Sequence, residues 1–102
     1  MSAITIPLSK PIKAHGEEIN ELTFREPTTE DVIDLGLPML FIPSASGETA
    51  TELRQKVLAS YIARLAAIPM GSVKALSLKD FSRCTGAVMG FFGDGEGEAP
   101  TS

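Results

Sequence analysis

The chain has 102 residues, a formal net charge of −4, 43% hydrophobic and 22% charged residues, which is room for one domain. No apolar run approaches the ~18 residues of a membrane span, and a single cysteine, Cys84, and a single histidine, His15, exclude an internal disulfide and a multi-cysteine zinc site. Basic residues are few and scattered, so nucleic acid and acidic lipid are not expected partners.

The first 25 residues read as a β-hairpin over 3–25. Ile4, Ile6 and Leu8 alternate with polar residues or proline, the two-residue period of a half-buried strand. Pro7 lacks an N–H and argues for an edge position. The polar stretch Lys13–Glu17, with Gly16 free to take a positive φ, reads as the turn and His15 as a solvated turn residue. On the return strand Leu22 and Phe24 keep phase, but Ile19 does not. Either a bulge lies near Asn20 and Glu21, or Ile19 faces the other way.

Thr28 as N-cap with Asp31 three residues on predicts a helix over about 28–36, with Gly36 as its stop. Leu37–Pro43 is an apolar, proline-bracketed segment that cannot be one uninterrupted helix, and Ser44–Glu48 is a loop. Thr49-x-x-Glu52 reads as a second capping box opening a helix over 50–68, ended by Pro69. Ala50, Leu53, Val57, Leu58, Tyr61, Ile62, Leu65 and Ile68 recur there at three- and four-residue steps. Val73–Leu76 can form a short helical piece. Ser77-x-x-Asp80 opens the last helix, 78–92. Gly86 and Gly90 inside it each cost about 1 kcal/mol relative to Ala, which points to close packing or a frayed end. From Gly93 the chain is glycine-rich and acidic, and residues 93–102 are expected to be a disordered tail. The fold class is therefore α+β, mainly helical: one hairpin, about three helices, one domain over 1–92.

Enzymatic chemistry lacks convergent groups. His15 sits in a turn, and Cys84 falls on the apolar face of the last helix, where a free cysteine acts as a small hydrophobe. The adjacent pairs Glu17-Glu18 and Glu30-Asp31 point apart. No catalytic, cofactor or metal site is expected. What remains is apolar surplus after residue 36, and contiguous exposed apolar surface marks partner sites. The candidate protein-binding residues are Leu53, Val57, Leu58, Tyr61, Ile62, Leu65, Phe91 and Phe92. They suit either a client-binding protein or a small homo-oligomeric adaptor.

Leu8-Ser9-Lys10-Pro11-Ile12, then Gly16–Thr28 and Asp31, followed by Leu65-Ala66-Ala67-Ile68-Pro69 and Leu78-x-x-Asp80-Phe81, resemble the phage tail assembly chaperone family of Mu-like and P2-like contractile-tailed bacteriophages. The resemblance spans roughly residues 4–92, while Leu37–Gly47 matches no part of the pattern. It implies a non-enzymatic protein that binds and solubilises the tape measure protein while the tail tube polymerises. It further implies homo-oligomers, contact with the tail tube protein, a location in the bacterial cytoplasm and absence from the mature virion. The family also implies a longer frameshifted form. Gly90-Phe91-Phe92 can be encoded GGU-UUU-UUU, on which a ribosome could slip, and that form would itself be a partner.

Overall fold

The computed structural model describes residues 3–98, with side chains to residue 93. In chain order the elements are β1 (Ile4–Ala14), β2 (Glu17–Phe24), α1 (Thr29–Leu35), β3 (Met39–Pro43), β4 (Thr49–Leu53), α2 (Gln55–Ala66), α3 (Met70–Lys74) and α4 (Leu78–Glu98). Two separate two-stranded antiparallel sheets form, β1–β2 and β3–β4.

The first hairpin turns through His15 (φ 55) and Gly16 (φ 79), two left-handed residues of the kind that follow the right-handed twist of the strands. Ile4 pairs with Phe24 at one end and Ala14 with Glu17 at the other, but the register shifts between Pro7 and Ile12. Leu8–Pro11 therefore bulge from β1 opposite Asn20. The register shift therefore falls where the sequence pattern of β2 loses phase, with the extra residues on the facing strand. Ile19 pairs with Ile12.

The hairpin carries Ile12, Ala14, Leu22 and Phe24 into the core, where Leu58, Tyr61, Ile62 and Leu65 of α2 and Cys84 and Val88 of α4 meet them. The amphipathic spacing of α2 is satisfied inside the chain. The Thr28–Asp31 capping box at α1 forms in both directions. Asp31, almost wholly buried, also pairs with Arg25 at 2.8 Å and Arg64 at 3.3 Å. This locks the exit of β2 to the start of α1 and the side of α2.

Three expectations need correction. Residues 49–53 are a strand, not the first turn of a helix. α2 begins at Gln55 behind Arg54, whose side chain makes no capping bond, so the Thr49-x-x-Glu52 pattern is no capping box. The proline-bracketed run pairs with that strand as a second hairpin, which makes the chain less helical than expected. Its turn closes with Ser44 N–H on the Glu48 carbonyl at 2.8 Å and Gly47 N–H on the Ser44 carbonyl at 3.0 Å, with Gly47 at φ 93. Among the described residues there are four helices instead of about three, since Met70–Lys74 forms α3. The backbone of α4 runs to Glu98, and the rest of the tail expected over 93–102 lies outside the described residues.

Candidate protein-binding surface

The charged groups that are buried hold the fold. The bulge in β1 turns the N–H groups of Ser9 and Lys10 away from β2, and they need acceptors. Asp80, in the first turn of α4, supplies them. It accepts from Ser9 N–H at 2.9 and 3.0 Å, from the Ser9 hydroxyl at 3.1 Å and from Lys10 N–H at 3.3 Å. Ser77 caps the same helix by accepting from Asp80 N–H at 3.1 Å. The Ser9 N–H is the chief reason that the Asp80 carboxyl lies below its ordinary range, against the opposing effect of burial. Asp31 is held far down in the same sense, first by the Arg25 guanidinium and then by Thr28.

The two residues weighed for catalysis are also placed. His15 is exposed, and its Nε2 lies 2.9 Å from the Ala67 carbonyl. It tethers the hairpin tip to the end of α2, where Ala67 is left-handed at φ 58, so it is not a free turn residue. Cys84 is fully buried in the core, and burial pushes its thiol up to about 11. A thiol, not a thiolate, is present at neutral pH, and it is a poor nucleophile. Among the described residues no three His, Cys, Asp or Glu cluster to hold a metal ion, and no helix is long and apolar enough to cross a membrane.

The eight candidate binding residues separate into groups. Leu58, Tyr61, Ile62 and Leu65 are 0–3% exposed and belong to the chain's own core. Val57, Phe91 and Phe92 pack partly against that core, and Phe92 meets Tyr61 edge-to-face at 5.4 Å between centroids. Leu53 alone is open, at 43%. Gly86 and Gly90 are not required by close packing, since a Cβ on either meets nothing within 4 Å.

Exposed apolar surface gathers instead in two places. The first is an open groove of about 550 Å³ where α2, α3 and the start of α4 converge. Ala59, Met70, Val73 and Phe81 line it, Leu78 stands at its edge 79% exposed, and Lys56 and Lys74 border it. The second is the β3–β4 hairpin, which stands off the core: Leu40, Phe41 and Ile42 are about half exposed. Met70 and Leu78 were not singled out by periodicity. The signal was their place beside the Pro69 and Ser77 breaks, where the chain turns and leaves apolar side chains uncovered.

No match was found to a curated protein or to a solved structure. The model of the family described as phage tail assembly chaperone proteins, E, or 41 or 14, matches residues 5–93. That span includes the bulge, both caps and the two carboxylates that hold them. The chain belongs to the phage tail assembly chaperone family.

Proposed function

We propose that the protein binds the tape measure protein during tail assembly, without catalysis, by taking an apolar helical face of that client into the groove between α2, α3 and α4. The groove carries this reading: it is open and mostly apolar, and Lys56 and Lys74 are among the residues that line it. An amphipathic helix with acidic flanks fits such a cleft, its apolar stripe in the groove and its carboxylates near Lys56 and Lys74. Masking a long client needs many copies, and net negative charge on each keeps the coated assembly dispersed. The same reading places the protein in the host cytoplasm and outside the finished virion, with the tail tube protein nearby. It also includes a longer form arising by frameshift at Gly90-Phe91-Phe92. The gene decides that point: an uninterrupted slippery run and an overlapping frame support it, and cytosines within the phenylalanine codons with no such frame refute it.

The binding test is co-expression with the tape measure protein. Leu78→Asp puts a carboxylate at the groove's most exposed side chain, where folding does not depend on it. Recovery of the client is expected to fall at least tenfold while thermal stability stays within the spread of surface substitutions, about 0.5 kcal/mol. Undiminished recovery refutes the groove as the client site.

A further inference from the structure

We propose that a second copy of this chain docks along the open edge of β4, antiparallel and in a two-fold register centred on Thr51, so that two hairpins form one four-stranded sheet. An isolated two-stranded hairpin is marginal in water, and stability comes with more strands or a covering helix. Here the β3–β4 hairpin has neither: every residue of β4 is exposed, as are all of β3 but Met39.

The hydrogen-bond parity says which edge is free. Arg54 N–H donates to the Pro38 carbonyl and Ser44 N–H to the Glu48 carbonyl, both at 2.8 Å. In an antiparallel ladder bonded pairs alternate. The pairs Leu40–Glu52 and Ile42–Ala50 are therefore the bonded ones within the hairpin, while Thr49, Thr51 and Leu53 direct their N–H and C=O groups away from β3. The outer edge of β3 is blunted by Pro43, which has no N–H. The edge of β4 has no proline, lysine or bulge to guard it.

Charge favours this register over its immediate neighbours. With Thr51 opposite its own copy, Thr49 faces the other chain's Leu53, and each of these pairs exchanges both backbone bonds. The same alignment sets Glu48 opposite Arg54 of the other copy at both ends. Both residues are exposed, and neither is in an ion pair among the described residues. Sliding the centre to Ala50 puts Glu48 against Glu52, and sliding it to Glu52 puts that carboxylate against itself. Like charges directly opposite destabilise a sheet. A second copy is thus complementary to this edge in bonding, in charge and in its own need for cover.

The full chain, followed by sedimentation equilibrium with rising concentration, is expected to move from 10.8 kDa toward twice that mass. Thr51→Pro removes an outward N–H and no bond within the hairpin, so it is expected to lose the dimer while keeping the far-UV spectrum and, at concentrations where the parent is monomeric, the melting temperature. Glu48→Arg and Arg54→Glu each reverse two exposed pairs, worth a few-fold each, and are expected to weaken self-association about tenfold. Mixed together, the two variants restore opposite charges at both ends and are expected to pair with each other. A wild-type chain that stays at 10.8 kDa, a Thr51→Pro chain that still dimerises, or two charge variants that do not pair on mixing overturns the proposal. Loss of tape measure protein from Thr51→Pro in a chain that never dimerises assigns the edge to the client and overturns it too. Leu78→Asp leaves the dimer mass unchanged, so failure of the groove and failure of this edge are read separately.

Discussion

Replacing Tyr61 by Phe deletes one oxygen from the centre of the core. The phenol is fully buried and donates to the Gly36 carbonyl at 2.6 Å, tying α2 to the end of α1. A net hydrogen bond contributes about 1 kcal/mol, and a stranded buried acceptor costs ~1–3 kcal/mol. Gly36 is only half-buried, so water recovers part of its carbonyl. The expected loss is therefore near the lower figure, about 1 kcal/mol, or about 4–8 °C in Tm for a chain of this size. Tyr61→Leu also removes the edge-to-face contact with Phe92 and loses a further ~0.5–1.5 kcal/mol from the aromatic pair alone. Urea unfolding followed by far-UV circular dichroism measures both, read from midpoints at unchanged slope. The chain has no tryptophan and one tyrosine, so alkaline absorbance reports this phenol alone. Burial first, and the Asp31 charge second, raise its pKa above the ordinary 10.0. The stability gained by keeping it neutral is fully present below pH 10 and is lost as pH rises through the folded-state value. A Phe variant as stable as the parent, or a folded phenol that titrates at or below its ordinary value, refutes this account of the core.

Asp80→Asn sets an amide N–H₂ or a weaker acceptor against the donors of Ser9 and Lys10, and it is expected to unfold at lower urea than the parent at pH 7. The pKa values of Asp31 and Asp80 are lowered in the fold, so the stability they add is present above about 3.8, their unfolded value, and falls away below it. Parent and variant midpoints should converge as pH drops through that range, and a constant gap contradicts the assignment. Gly86→Ala places a methyl where nothing lies within 4 Å, and helix propensity alone then stabilises by about 0.8–1.0 kcal/mol. Destabilisation on thermal melting would mean that α4 packs on something outside this chain.

The parts of the fold legible in the sequence are those whose signals are local. Thr28 and Asp31 announced α1 because a capping box is complete within four residues, and Gly16 marked the first turn. Thr49-x-x-Glu52 misled for the same reason: the pattern is short enough to occur where a strand forms. The alternating threonines at 49 and 51, the Ser46-Gly47 turn and the apolar run before it carried the contrary signal. The end of α2 was unreadable, because a left-handed Ala67 stands where glycine is usual. Asp80 was legible as a helix-start carboxylate, but its bonds to the bulge join residues far apart in the chain and leave no periodic trace. The candidate surface suffered likewise. Periodicity finds the apolar face of α2, and the fold consumes that face internally, leaving the open groove largely to residues of α3 and the start of α4.

The carboxylate of Asp80 sets an order of events during synthesis. Ser9 and Asp80 are 71 positions apart, so the bulged strand emerges from the ribosome long before its acceptor exists. Until then those N–H groups lack the acceptor that the fold gives them, and a long loop must close before the bond can form. A nascent chain stopped short of Ser77 holds both hairpins and α2 but neither the clasp nor the core side chains of α4. The fold thus closes only when its last helix arrives, and the core residues of the first hairpin stay uncovered by α4 for most of translation.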